Sequence, residues 1–179
     1  MNRPGTVMLS VLQQFAGAIQ QKFSSHVSGE PEDQLRAPFE QLLVAVGKQT
    51  GLDVLAIGET LLANGGGKPD FGVSVNQLLC GYAELKAPGK GADITDFTGH
   101  DKAQWERFKN LPNILYSDGR EFAVHRKLTD GRIAVLYATA ASIRFDPFST
   151  CVIEVIRSMG SGNTMVVFCS APISTRVCR

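Results

Sequence analysis

Apolar side chains at Leu12, Phe15, Ile19 and Phe23 fall three and four residues apart, which predicts an amphipathic helix over residues 6–24. A second helix is expected to enter at Gly29-Glu30-Pro31-Glu32-Asp33, where acids in the first turn complement the helix dipole. It would bury Leu35, Phe39, Leu42, Leu43 and Val46 and stop near Gly47, with Pro38 marking either a kink or the true start. Glu40 stands beside this apolar stripe rather than opposite it. Asp53 to Glu59 has the length and apolar character of a strand. After the glycine-rich connection Leu61 to Gly67 come two short runs, Lys68 to Val75 and Tyr82 to Pro88. Joined through Asn76 to Gly81, they read as a β-hairpin with a longer loop. A helix over Gly99 to Lys109, anchored by Trp105 and Phe108, is expected next. Three strands then follow, Asn113 to Ser117, Glu121 to Arg126 and Ile133 to Ala138, with Asp-Gly turns at Asp118-Gly119 and Asp130-Gly131. Beyond Ala141 the pattern changes, and residues 142–179 are expected to form a C-terminal tail separate from a domain over 1–141.

Composition narrows the class. The 179 residues are 44% hydrophobic and 20% charged, values typical of a globular domain with its own core. A formal net charge of +1 gives no global signal for nucleic acid, so any such reading must rest on local charge. The four cysteines, Cys80, Cys151, Cys169 and Cys178, lack C-x-x-C spacing, which argues against a zinc site or a disulfide framework and fits a reducing cytoplasm. The N-terminal apolar stretch is broken by Gln13, Gln14, Gln20 and Gln21, so neither a signal peptide nor a membrane partner is expected. Gly65-Gly66-Gly67-Lys68 lacks the P-loop spacing and is followed by Pro69, so it reads as a flexible lead-in.

The candidate chemistry lies in the hairpin. Alternation places Glu84 and Lys86 on one face of their strand, with Leu85 turned toward the core. If the two strands are antiparallel, Asp70 at the start of the first lies beside Glu84 and Lys86 at the end of the second. Two carboxylates suit a hard cation such as Mg²⁺, and a neighbouring lysine can orient a water. Lys86, Lys90, Lys102, Arg107 and Lys109 form the densest basic region, able to meet phosphates. The plain alternative is a turn aspartate after Pro69 and a same-face Glu84–Lys86 salt bridge.

Pro69-Asp70 followed fourteen residues after Asp70 by Glu84-Leu85-Lys86 resembles the signature of the PD-(D/E)xK nuclease superfamily. The stretches Glu84 to Asp93 and Phe97 to Phe108 are similar to the N-terminal nuclease domain of single-chain restriction–modification proteins, which fuse nuclease, methyltransferase and target recognition. The resemblance covers roughly residues 30 to 140. It implies an α/β (α+β) fold with a restriction-endonuclease-like α-β-β-β-α-β core, a central mixed sheet flanked by helices. It also implies a Mg²⁺-dependent endonuclease cutting DNA phosphodiester bonds, with Mn²⁺ as a substitute cofactor. Carried over, Asp70, Glu84, Glu40 and the Leu85 carbonyl would hold the metal, Lys86 would position the water, and Gln104 would support the site. A related pattern has Tyr four residues after the Gln, where Phe108 stands here. No Asn-Pro-Pro-Tyr or Asp-Pro-Pro-Tyr methyltransferase motif is present, Asp146-Pro147-Phe148 lacking the second proline. The expected partners are therefore DNA, a methyltransferase or specificity subunit or fused domain, and a second copy of the chain to cut both strands. The alternatives are a catalytically silent DNA-binding or assembly module on the same fold, and a nuclease acting in repair or on RNA.

Overall fold

The computed structural model describes residues 4–25, 29–63 and 66–139. Helices α1 (Pro4–Phe23) and α2 (Asp33–Thr50) precede three strands, β1 (Val54–Gly58), β2 (Phe71–Val75) and β3 (Leu78–Leu85). Helix α3 (Gly99–Phe108) leads into β4 (Asn113–Ser117), β5 (Glu121–Lys127) and β6 (Ile133–Thr139). The fold is mixed α and β, with a six-stranded mixed sheet flanked by helices and ordered β1-β2-β3-β4-β5-β6. The β3–β4 pair is parallel and the other four are antiparallel. Helix α3 is the crossover that a parallel pair requires. Among the described residues no helix is long and apolar enough to cross a membrane. The expected tail over 142–179 lies outside the described residues.

Alternation along the strands builds two cores. Val54 and Ala56, Phe71, Val73 and Val75, Ala83 and Leu85, Leu115 and Phe122 face α1 and α2. There Phe15 meets Phe122 with ring centroids 6.0 Å apart, and Phe39 meets Phe71 at 5.8 Å. Ile114, Tyr116 and Ala123 face the other way, against Phe97, Trp105 and Phe108. Burial of apolar area on both faces, at roughly 25 cal/mol per Å², holds the helices to the sheet.

Helix α2 runs unbroken through Pro38, which is buried six residues into it, and ends three residues later than the expected stop at Gly47. Gly51 terminates it with φ 70°, its N–H donating to the Gly47 and Lys48 carbonyls. Gly47 serves packing instead. A Cβ there would lie 2.5 Å from Val54 Cγ2 and 2.9 Å from the Leu52 carbonyl oxygen.

The hairpin is also tighter than expected. Asn76 and Gln77 alone make the turn, both with positive φ (50° and 67°), the geometry of a two-residue I′ loop. Leu78 to Gly81 therefore belong to β3, and a bulge at Cys80 shifts the register between Val73↔Gly81 and Ser74↔Leu79. The Asn76 side-chain carbonyl accepts the Asp53 N–H at 3.0 Å, tying the turn to β1.

Asp118, in the β4–β5 turn, is 3% exposed and accepts four backbone N–H groups. Arg120 and Glu121 donate to one oxygen, Gly89 and Gly91 to the other. Glu121 Oε2 accepts the Ala92 N–H at 3.0 Å. These two acids fasten the loop that leaves β3 to the neighbouring turn.

Candidate active site

The register Phe71↔Ala83 continues so that Asp70 stands across from Glu84, one step beyond the last paired residues. The Asp70 N–H donates to Glu84 Oε2 at 3.3 Å, and the Leu85 N–H donates to Asp70 Oδ2 at 2.7 Å. Lys86 extends the parallel pairing, its N–H donating to the Ser117 carbonyl at 2.8 Å. Leu85 points into the α1/α2 core, so Glu84 and Lys86 face α3, as alternation requires.

Helix α3 supplies two partners one turn apart. Gln104 Nε2 donates to Glu84 Oε1 at 2.6 Å, while Lys86 Nζ donates to Gln104 Oε1 at 2.5 Å. Asp101 Oδ1 lies 3.0 Å from Lys86 Nζ, and Glu84 Oε1 lies 3.5 Å from it. The ammonium also sits 5.8 Å from the Tyr116 ring centroid and 6.0 Å from that of Phe97. Three acceptors and two rings surround a cation that is 2% exposed, the company a buried charge needs. Gln104 locks the acid and the amine into one arrangement, because its amide has both a donor and an acceptor to offer.

Helix α2 brings the third acid. Ligand oxygens of Glu32, Asp70 and Glu84 all lie within 4.8 Å of one another. Three converging carboxylates are a donor set able to hold a hard divalent cation. Glu32, at the N-cap of α2, takes the place expected for Glu40. Glu40 is exposed and lies outside this cluster. The reason is distance along the helix: eight residues separate the two, about 12 Å of axis.

Arg36, in the first turn of α2, also joins the site. Its Nη2 is 2.5 Å from Asp70 Oδ1, its Nε 3.1 Å from Asp33 Oδ1, and its Nη1 3.9 Å from Glu59 Oε1. The Glu32-x-x-x-Arg36 and Asp101-x-x-Gln104 spacings were visible signals, since residues three and four apart share a helix face. No family model matches the chain, and no similar curated protein or solved structure was found.

Electrostatics follow from burial. Glu84 is pushed up to about 7, first by loss of water and then by the Asp70 charge, with Lys86 and Gln104 opposing. Burial also raises Asp70, against the Leu85 N–H, Arg36 and Lys86. Glu32 is raised as well, mainly by burial. The Asp70 charge thus raises the proton affinity of both Glu84 and Glu32, as a like charge does at close range.

The remaining expectations divide. Phe108 is 1% exposed in the second core, its ring against the Gly67 backbone, and brings no hydroxyl to the site. Of the basic residues, Lys90, Lys102 and Arg107 are exposed, Lys109 pairs with Glu106, and Lys86 is buried in the site.

Proposed function

We propose that this protein is a Mg²⁺-dependent DNA endonuclease of the restriction type, with Mn²⁺ as an alternative ion, hydrolysing phosphodiester bonds at the Glu32–Asp70–Glu84–Lys86 site. The observation that carries the reading is the meeting of Asp70 and Glu84 across β2 and β3, with Lys86 Nζ 3.5 Å from Glu84 Oε1. A bare salt bridge accounts for Glu84 and Lys86, but not for three acids drawn together out of water at a cost in their own ionisation.

Glu32, Asp70 and Glu84 hold the cation. When bound, it withdraws charge from the scissile phosphate and lowers the pKa of a ligated water. Lys86 would orient the attacking water and steady the charge on its oxygen as the proton passes to bulk solvent and the P–O bond to the leaving sugar oxygen breaks. Gln104 is a positioning residue that fixes Glu84 and Lys86 relative to each other. Asp101 keeps the ammonium in place from the far side. Exposed Lys90, Lys102 and Arg107, near the β3–α3 loop and on α3, offer phosphate contacts that position DNA without reading sequence. Recognition then falls to a methyltransferase or specificity subunit or fused domain, and cutting of the second strand to another copy of the chain.

The test is incubation of supercoiled plasmid with the protein in MgCl₂, beside Asp70→Ala and Lys86→Ala. Nicking by the wild type that both substitutions abolish is expected. Equal nicking by all three proteins, or none by any, refutes the proposal.

A further inference from the structure

We propose that Arg36 is the resident counter-ion of this site: its guanidinium holds Asp70 in the cation-free protein and leaves Asp70 when a divalent cation binds. The inference rests on the functional reading above and adds to it a residue that sets how tightly the ion is taken.

Asp70 has two oxygens, and they are not equivalent. Oδ2 is engaged by the Leu85 N–H at 2.7 Å inside the sheet, a bond that helps set the strand end. Oδ1 faces Arg36 on α2, whose Nη2 lies 2.5 Å from it. A cation taking Oδ1 would meet the full charge of the guanidinium a few ångströms away, and like charges at that range repel strongly where water is scarce. An ion on Oδ1 therefore requires Arg36 to move.

The two cations of the site differ in their freedom to move. The Lys86 side chain is 3% exposed and enclosed by Gln104, Asp101 and two aromatic rings. The Arg36 side chain is 32% exposed and reaches in from a helix on the solvent side. It also has somewhere to go. Asp33 and Glu59, both more than half exposed, already lie 3.1 Å and 3.9 Å from its other nitrogens. A planar fork with several donors can keep two of these contacts while giving up the third. Exchange of Arg36 for a divalent cation on Asp70 therefore leaves neither charge stranded.

Arg36→Gln separates this role from a merely structural one, because the two predict opposite signs. The protein, Arg36→Gln and an Asp70→Asn blank are titrated with MgCl₂ and MnCl₂, following heat by calorimetry and the cation-induced rise in Tm. Arg36→Gln is expected to bind each ion roughly tenfold more tightly than the wild type, the size of removing one nearby, partly screened charge. Its rise in Tm on adding the ion should be larger too. Should that variant fail to fold, Arg36→Lys replaces it, and its looser hold on Asp70 is expected to tighten binding by a smaller factor. Cation binding that is unchanged or weaker in the folded variant overturns the inference and leaves the functional reading standing. No cation binding by the wild type or by Arg36→Gln above the Asp70→Asn blank overturns both.

Discussion

Glu84 makes stability depend on pH in a way that a single substitution isolates. Its carboxyl rises from 4.5 to about 7 in the folded chain, so the folded state binds the proton more tightly than the unfolded one. Stability is then fully present below about pH 4.5 and is lost as pH climbs through 7. A shift of this size, at 1.36 kcal/mol per unit, amounts to about 3 kcal/mol as an upper bound. His125 works in the opposite direction. Buried against Trp105 and Tyr116, it is pushed down from 6.5 to about 4 by loss of water, so it adds stability as pH rises over that interval. The two effects nearly cancel between pH 4.5 and 6.5, and only the Glu84 loss continues beyond. Glu84→Gln keeps the shape and the acceptor for Gln104 while removing the titration, and gives up only the long 3.3 Å contact that Oε2 accepts from the Asp70 N–H. Lys86 retains Asp101 at 3.0 Å and Gln104 Oε1 at 2.5 Å. Thermal melts in chelator at pH 5, 6, 7 and 8 should show the variant close to the wild type at pH 5. At pH 8 it should be more stable by up to about 3 kcal/mol, roughly 6–12 °C in Tm. Curves that run parallel over this range, or a variant less stable at pH 8, would show that the carboxylate is not held out of water as described.

Three further perturbations test the parts around it. Gly47→Ala puts a methyl 2.5 Å from Val54 Cγ2 and should destabilise in denaturant melts, because overpacking at about 1–3 kcal/mol outweighs a helix gain of about 1 kcal/mol. Asp118→Ala strips four N–H groups of their acceptor and should cost about 1–3 kcal/mol, with amide exchange at Gly89 and Gly91 accelerating; unchanged exchange there would remove its role as the loop's anchor. Glu32→Gln should weaken Mg²⁺ binding at least roughly tenfold in calorimetry while Glu40→Gln leaves it alone, and the reverse order would restore Glu40 to the site.

The fold was legible wherever periodicity and a strong turn residue agreed. Asp-Gly at residues 118–119 and 130–131 located the β4–β5 and β5–β6 turns, and the spacing of Leu12, Phe15 and Ile19 located α1. Where a residue had two physical uses, the sequence could not choose between them. Gly47 and Gly51 both look like helix stops, yet only Gly51 needs the left-handed conformation, while Gly47 is small because β1 passes against it. Asn76-Gln77 is a weak turn signal beside Asn-Gly, since Gln gains nothing from a positive φ, and the tie that holds the tight hairpin, the Asp53 N–H on the Asn76 side chain, joins residues far apart in sequence.

For the site, strand geometry carries over from sequence and helix geometry does not. Antiparallel pairing with a period of two forces Asp70, Glu84 and Lys86 into one patch whatever the loop between them does, provided the loop keeps their parity. Here the two-residue turn and the one-residue bulge at Cys80 together preserve it. No such constraint ties a helix acid to the sheet. Which carboxylate of α2 reaches Asp70 depends on where the helix axis crosses the strand ends, a consequence of how Phe39, Leu42 and Val46 pack on β1 and β2. That packing turns the N-terminal end of α2 toward Asp70, so Glu32 and Arg36 arrive together, an acid and a cation one turn apart. Their joint arrival explains how three acids can be drawn close: the same helix end that adds the third carboxylate also adds a charge that balances it.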